Sequence, residues 1–307
     1  MIIFDYNSFL VYDFEGTFIT KFDLEVNVNS VMDGNLSSWL PFNDSLFIGQ
    51  VSNYSGQGKH KAVFFDNRGK TIKLVPNYSV LSLPKGYSDS NKSLAFIYKH
   101  GGNTFFKEYY DDTLFIINDQ YLMDPVCFFF LGKYGMPSSF RELPRQEFLK
   151  VKQNYISIKN IFETSSYIFL NCLFRNHTPA KRSEALIYPN IDGSPLESWY
   201  YPVSMLGVYQ KLTKEMRFAK PLKSDNEMIN DGLHNDFDGG VNFYPTKMVN
   251  DSTLAMWVDA YKLKEHVASI EFKNSMPKYQ EKKRELELFV NQLDVNDNPV
   301  LILCTFK

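Results

Sequence analysis

"SFLVYDFEGTFITKF" (Ser8–Phe22) and "KAVFFDNRGKTIKLV" (Lys61–Val75) are two copies of one pattern. In each copy an apolar run ends in aspartate, a short polar turn with glycine follows, and a second apolar run begins. The pattern predicts a β-hairpin, because strands are apolar runs bounded by turn residues. Gly16 and Gly69 stand where a tight turn demands a positive φ, which glycine adopts readily. The two stretches therefore favour an antiparallel all-β fold.

A second recurring phrase is a polar turn followed by an apolar strand. Its copies are "NDSLFI" from Asn43, "DDTLFI" from Asp111, "NDSTLAMW" from Asn250 and, more loosely, "TSSYIFL" from Thr164. Asx, Ser and Thr side chains form such turns with their own backbone, so one physical unit is reused. Repetition of this kind is typical of propellers and solenoids. We interpret the acidic residues of these phrases as turn formers, namely Asp44, Asp112 and Asp251.

The strand-like runs fall into about five clusters, which are residues 1–22, 36–78, 93–134, 155–202 and 241–272. Each cluster is long enough for one antiparallel sheet of about four strands, the size of a propeller blade. The last run, "NPVLILCTFK" (Asn298–Lys307), is expected to complete the sheet that the N-terminus begins. Closure of that kind removes exposed sheet edges. We expect residues 1–307 to form a single β-propeller domain whose closing strand is about residues 298–307.

Helical patterns are confined to the C-terminal part of the chain. "YQEKKRELELFVNQLD" (Tyr279–Asp294) places apolar residues on one face and predicts a helical insertion at about residues 278–294. "DAYKLKEHV" (Asp259–Val267) favours a shorter helix. A helix of this length needs tertiary support, so packing against the β body is expected. A partner-binding surface on the longer helix is the alternative.

Composition excludes some partners. The net charge is −2 with mixed signs throughout, so no basic face indicates a nucleic acid. No apolar run reaches the roughly 20 residues that a transmembrane helix needs. The N-terminus "MIIFDYNSFL" alternates like a strand and is not a signal peptide, so we expect either that the mature chain starts here or that an upstream segment is missing.

The C-terminal part of the chain carries a family resemblance. "NDFDGGVNFYPTKMVNDSTLAMWVDAYKLKEHV" (Asn235–Val267) and the "YQEKKRELELFVNQLDVNDNPVLILCTFK" that follows resemble the six-bladed β-propeller proteins found among bacterial cell-envelope lipoproteins. "VYDFEGTFI", "VFFDNRGKTI" and "FLGKYGMPSSF" (Phe130–Phe140) resemble that family's blade hairpins and inter-blade connection. The resemblance implies a closed propeller, periplasmic or surface-exposed, usually exported and lipid-anchored, mostly without an assigned activity. About five blades' worth of sequence is visible here, so five and six blades both stay open.

The segment "NDGLHNDFDGG" (Asn230–Gly240) is the candidate functional loop. An imidazole among carboxylates is suited to bind a ligand or act as a general base. The candidate ligand-binding residues are Asp231, His234, Asn235, Asp236 and Asp238. Calcium would find oxygen ligands in Asp236 and Asp238, although the EF-hand pattern is not met. The alternative is a structural turn, in which Asx side chains and Gly239-Gly240 reverse the chain. No residue is assigned a catalytic role.

"YSGQGKHK" (Tyr54–Lys61) has two glycines and nearby cations, as a phosphate-binding loop does. No helix pattern follows it, whereas phosphate loops lead into a helix N-terminus. A hairpin loop is therefore the favoured interpretation.

We expect a non-catalytic binding or scaffolding propeller of the bacterial cell envelope. Loops from every blade gather on one rim of a propeller, so a site can be assembled there from distant residues. The 27 Phe and 19 Tyr residues suit a carbohydrate or peptide ligand, and a small molecule or a protein partner stays open. No cofactor is expected except possible Ca²⁺. The alternatives are a calcium-dependent hydrolase with an acidic channel site and a protein–protein platform built on the Tyr279–Asp294 helix.

Overall fold

The structure is a computed structural model that describes residues 2–5, 8–24, 36–53, 55–83, 94–177, 185–189, 195–199, 204–219 and 232–306. By its internal contacts the chain divides into two compact units, Met1–Ser157 and Ile158–Lys307. The expectation of a single domain over residues 1–307 stays a prediction.

The first unit contains three antiparallel sheets, each built from strands that follow one another along the chain. Sheet I consists of β1 (Ile2–Asp5), β2 (Ser8–Tyr12) and β3 (Phe18–Asp23). Sheet II consists of β4 (Leu36–Pro41), β5 (Leu46–Val51), β6 (His60–Asp66) and β7 (Thr71–Pro76). Sheet III consists of β8 (Ala95–His100), β9 (Asn103–Glu108), β10 (Thr113–Ile117) and β11 (Met123–Phe128). Short helical turns and the helix α1 (Arg145–Val151) follow.

The second unit contains two larger sheets and a short hairpin. Sheet IV consists of β12 (Ser157–Glu163), β13 (Tyr167–Leu173), β16 (Ser204–Gln210) and β17 (Glu215–Phe218). The strands β14 (Ala185–Pro189) and β15 (Pro195–Trp199) pair only with each other among the described residues. Sheet V consists of β18 (Lys247–Asn250), β19 (Thr253–Val258) and β20 (Val300–Thr305). The prediction of a mainly antiparallel β protein is confirmed, and a closed propeller stays a prediction.

The predicted helical insertion lies between the last two strands. It comprises α2 (Ala260–Ala268), α3 (Ile270–Asn274) and α4 (Gln280–Gln292). No helix in the described part of the chain has the length and apolar character needed to cross a bilayer.

The two hairpins that opened the sequence analysis have the same turn. The Asp13 carboxylate accepts a hydrogen bond from the Thr17 amide at 2.7 Å. The Asp66 carboxylate accepts from the Arg68 and Lys70 amides, both at 2.9 Å. Gly16 and Gly69 follow their aspartates by three residues and have φ values of +84° and +83°. The predicted role of the aspartate and the glycine is confirmed.

The sequence pattern missed a third copy of this turn, between β10 and β11. Asn118 replaces the aspartate and accepts from the Gln120 and Leu122 amides, both at 3.0 Å. Tyr121 takes the glycine position with a φ of +61°. Its ring lies 4.8 Å from that of Phe64, so aromatic packing offsets the strained backbone.

The "NDSLFI" type of phrase also forms one recurring turn, but the residue that makes it differs from the prediction. The side chains of Asn43 and Asn250 accept from backbone amides two and three residues ahead, at 2.9–3.0 Å. Asp111 accepts from the Thr113 amide at 2.8 Å, and Thr164 from the Tyr167 amide at 3.0 Å. In three of these turns the accepting side chain therefore belongs to the residue directly before Asp44, Asp112 or Asp251. An Asx turn needs its acceptor at the first position.

The two central strands of sheet II, β5 and β6, are buried on both faces. Phe47, Val63 and Phe65 pack with Phe9 of sheet I, whose ring lies 5.1 Å from that of Phe65. The opposite face, with Ile48, Ala62 and Phe64, packs with Phe106 and Ile117 of sheet III. Alternate residues of a strand point to opposite faces, so burial on both faces requires the uninterrupted apolar run "AVFF".

The C-terminal strand does not pair as predicted. Within the described residues β20 pairs with β19 along its whole length, from Thr253 opposite Thr305 to Val258 opposite Val300. The helical insertion is a long connection between two neighbouring strands of sheet V. The expectation that residues 298–307 complete the N-terminal sheet is therefore wrong among the described pairings.

The prediction that residues 155–202 form one antiparallel sheet is also wrong for the described residues. Sheet IV takes β16 and β17 from residues beyond that cluster, while β14 and β15 form a separate hairpin. β-propensity marks where a strand lies but does not identify its partner.

The two hairpin glycines yield a matched stability test. An added Cβ at Gly69 would overlap the carbonyl oxygen of Asp23, whereas one at Gly16 would meet no heavy atom within 4 Å. Gly16→Ala should cost about 1–2 kcal/mol from the left-handed backbone alone. Gly69→Ala should cost more, because the same strain is joined by a backbone clash. Urea denaturation of both variants measures the difference, and equal losses would contradict this account.

Candidate functional site

The predicted loop begins as a narrow antiparallel bridge in the second unit. The amides of Leu233 and Phe243 each donate to the other residue's carbonyl at 2.8 Å. Gly232 has a φ of +50°, and an added Cβ would overlap the backbone of Phe243. Glycine is therefore required at this position for steric reasons, independent of any ligand.

The polar side chains inside the bridge form an Asx turn. Asn235 accepts from the Phe237 amide at 3.2 Å and donates to the Asp238 carboxylate at 2.7 Å. The same carboxylate oxygen of Asp238 accepts from the Gly240 amide at 2.8 Å. These bonds satisfy the backbone of a sharp reversal.

The outer side of the loop supports the helical insertion. The carbonyls of Asp236 and Phe237 accept from the amides of Lys278 and Tyr279, at 2.7 and 3.0 Å. The rings of Phe237 and Tyr279 lie 4.7 Å apart. A ring nitrogen of His266 on α2 lies 2.8 Å from the Gly239 carbonyl oxygen. These contacts hold the residues directly before α4 against the loop.

The five predicted ligand residues have different surroundings. Asn235 and Asp238 are half-buried and make the turn, while His234 and Asp236 are exposed. Asp231 lies outside the described residues. Among the described residues, no group of three or more His, Cys, Asp or Glu side chains is placed to hold a metal ion. The ligand and calcium hypotheses for this loop stay predictions.

Some of the apolar side chains of the helix α4 are buried, and others are exposed to solvent. Leu286, Val290 and Leu293 pack into a cluster with α2 and α3. Phe289, which the helical pattern placed on the packed face, is 45% exposed, and Leu288 is 65% exposed. The platform hypothesis therefore depends on these last two residues.

A second polar site, which the sequence did not predict, lies in the first unit and begins at the β5–β6 loop. Asn53 accepts from the Gly58 amide at 2.9 Å. The Asn77 side chain donates to the Gly58 carbonyl at 2.9 Å, and its amide donates to the Lys59 carbonyl at 2.8 Å. The loop joins two paired antiparallel strands, so the hairpin interpretation of "YSGQGKHK" is confirmed. Its bonds fix where β6 begins, with His60 and Lys61.

Lys61 meets Glu108 where sheet II packs on sheet III. The Lys61 ammonium nitrogen lies 3.6 Å from Glu108 Oε2, and the two side chains are 11% and 7% exposed. The same nitrogen lies 5.7 Å from the ring centres of Phe106 and Phe115. Apolar rings lower the local dielectric, which strengthens the attraction between the charges and raises the cost of leaving either one unpaired.

These residues line a cleft of about 270 Å³, including the space that opens to solvent. Its narrow interior has a volume of about 10 Å³, room for one water-sized group. The described lining residues are Gln50, Val51, Asn53, His60, Lys61, Asn77, Ala95, Phe106, Glu108 and Arg141.

The Glu108 carboxylate is incompletely satisfied. Its Oε2 atom is buried and has no hydrogen-bond partner among the described residues. The 3.6 Å distance to Lys61 is too long for a normal hydrogen bond. A buried carboxylate oxygen without a donor is costly, and such a gap commonly holds a bridging group.

The neighbouring Lys107 has a structural role and does not line the cleft. It is fully buried, and its ammonium donates to the carbonyls of Asp111 and, at 2.8 Å, Glu108. Burial raises the pKa of the nearby Asp112 carboxyl, and the positive charge of Lys107 opposes that rise. Lys107 therefore stabilises the turn after β9 through its hydrogen bonds to these two carbonyls.

Only a weak sequence signal pointed to this cleft. Lys61 and Glu108 are charges at the ends of apolar strand runs, "KAVFF" and "TFFKE". Arg141 lies on a 3₁₀ turn far along the chain and is 5% exposed, with no pattern that predicts its burial.

Comparison with known proteins gives a family and a fold. A family model described as "Domain of unknown function (DUF4934)" matches residues 1–305. No curated protein matches the chain. A crystal structure of a "Putative exported protein" from Bacteroides fragilis NCTC 9343 is similar at 15% identity with a TM-score of 0.57, over 98% of this chain and 72% of that one. At that identity the likeness concerns the fold alone.

A second solved structure is much less similar. Dihydro-heme d1 dehydrogenase NirN in complex with DHE aligns at 12% identity with a TM-score of 0.31, over 71% of this chain and 34% of that one. That score is too low to inform the fold or the site.

The Asn230–Gly240 loop can be tested by comparing neighbouring side chains. Asn235→Ala removes the centre of the Asx turn and should lower the free energy of unfolding by about 1–2 kcal/mol. His234→Ala, at an exposed neighbour, should change it by no more than about 0.5 kcal/mol. Chemical denaturation measures both. A larger loss for His234→Ala would contradict the turn interpretation.

Proposed function

The chain belongs to the DUF4934 family, and we propose that it is a non-catalytic ligand-binding β-propeller of the bacterial cell envelope. The observation that carries the proposal is the cleft beside Lys61 and Glu108. In it the buried pair of Lys61 and Glu108 lies beside Phe106, and polar side chains converge there as they do in small-ligand sites. No serine, threonine or cysteine is among its described lining residues, so a nucleophile of those types would have to come from elsewhere.

The propeller part of the proposal is supported by repetition. Five antiparallel sheets of three or four strands occur among the described residues, and sheets I to III share one turn chemistry. Successive similar sheets packed face to face are the building pattern of propeller blades. The envelope location is supported by the resemblance to lipoproteins and by the name of the Bacteroides fragilis structure, which is described as exported.

The two alternatives stay predictions. A calcium-dependent hydrolase would use Asp231, Asp236, Asp238 and His234. Only the carboxylate and imidazole chemistry of these residues and an analogy of fold favour it. A protein–protein platform would use the exposed Leu288 and Phe289 of α4. Single exposed apolar residues are common on protein surfaces, so they favour the platform only weakly.

A binding screen with a turnover assay tests the proposed function. The purified chain is applied to a glycan array and a peptide library, and each bound ligand is then incubated with excess protein. We expect saturable binding to at least one ligand that is recovered chemically unchanged. Conversion of the ligand would contradict the proposal, and conversion abolished by EDTA would support the calcium-dependent hydrolase. Absence of binding across both libraries would also contradict it.

A further inference from the structure

The last strand of sheet V is a free sheet edge. β20 pairs with β19 on one side, and no described residue pairs with its other side. Alternate amides and carbonyls of an edge strand point away from its neighbour, so those of β20 are available to another strand. Sheets II, III and IV each have four strands, whereas sheet V has three. Sheet V therefore has room for a further strand beside β20.

The sequence of β20 lacks the residues that normally protect such an edge. Proteins place charged side chains or proline on edge strands to discourage pairing with another chain. Every other edge strand of the described sheets contains at least one of them, for example Lys21 in β3, Pro125 in β11 and Arg217 in β17. The sequence of β20, "VLILCT", contains neither. Among the described edges, β20 is the one whose sequence does not oppose pairing.

An exposed apolar stripe accompanies this edge. Leu301 and Leu303 alternate along β20 with the core residue Ile302 and are 51% and 56% exposed. Trp257 of β19 lies opposite Leu301 in the sheet register and is 52% exposed. Residues opposite each other on neighbouring strands share a face, so these three side chains form one stripe that reaches the free edge.

The composition of the edge selects its partner. A strand added beside β20 has to bring uncharged side chains next to the two leucines, because a charge that loses its water without gaining a partner is costly. A proline in the added strand would remove a ladder hydrogen bond. Among the described edge strands only β20 has neither a charge nor a proline. A second β20 is therefore the best-matched partner that the chain itself offers.

We propose that two copies of the chain associate through β20, which pairs antiparallel with the β20 of the second copy across a two-fold axis. With Ile302 on the axis, Leu301 of each copy lies opposite Leu303 of the other, and the two three-stranded sheets become one continuous sheet. The contact is isologous and uses the β20 edge of each copy, so it closes at two copies. This inference goes beyond the proposed function and does not depend on it.

Sedimentation velocity from about 1 to about 200 µM tests the proposal, because one strand edge and three half-exposed side chains per copy make a small interface of micromolar strength. The weight-average mass should rise from the monomer value towards twice that value and no further.

Variants locate the contact. Leu303→Lys should weaken association at least about 10-fold, because the contact would have to desolvate the new ammonium. Leu301→Lys should do the same and serves if the first variant does not fold by circular dichroism. Ile19→Lys, at a 58% exposed residue of the edge strand β3, is the matched control and should associate like the unchanged protein.

Disulfide cross-linking tests the register. Cys127 is exposed, so both cross-linking variants carry Cys127→Ser. A mixture of Leu301→Cys and Leu303→Cys, one of them tagged, should cross-link faster than either variant with itself. Opposite Cβ atoms lie about 4.5–5.5 Å apart, whereas diagonal neighbours are about 7–8 Å apart, too far for a disulfide.

Several outcomes would overturn the proposal. One is a mass that stays at the monomer value up to about 200 µM. Another is association that both lysine variants leave unchanged, since the contact then lies elsewhere. Equal cross-linking of each cysteine variant with itself and with the other contradicts the antiparallel register. Binding of an uncharged extended peptide at β20 by a chain that stays monomeric would identify a different strand as the partner.

Discussion

The packing of sheet II between sheets I and III is the interaction on which the first unit depends. Phe65 and Phe64 are consecutive residues of β6, and their side chains enter the two opposite interfaces. Both rings are fully buried, so β6 has no solvent-facing side in the middle of its length. Charged residues can lie only at its ends. Lys61 lies at such an end, close enough to the interface to lose most of its contact with water.

The turns at the strand ends have to satisfy backbone groups without help from neighbouring strands. Asp13, Asp66 and Asn118 do this in three hairpins, and Asn43, Asp111 and Asn250 do it in another type of turn. Each accepts from backbone amides within four residues. The candidate loop at Asn230–Gly240 follows the same chemistry through Asn235 and Asp238. A density of Asx residues in this chain thus indicates turn formation before it indicates a metal or catalytic site.

Local patterns of the sequence predicted much of the fold but not the cleft. Gly16 and Gly69 identified their hairpins, because the turn and its residues are adjacent in the chain. The pairing of β20 with β19 was missed, because 41 residues of helices and loops separate the two strands and propensity does not encode partners. The cleft joins residues of β6, β9 and a 3₁₀ turn. Its formation depends on sheet-to-sheet packing, which no local spacing records.

A double-mutant cycle on Lys61 and Glu108 tests the central claim that this packing holds the two charges together out of water. The free energy of unfolding is measured for Lys61→Met, Glu108→Gln and the combined variant. Each single change strands a buried partner, so the double variant should lose at least about 1 kcal/mol less than the sum of the single losses. Additivity to within about 0.5 kcal/mol would mean that the two residues act independently, and would contradict the account.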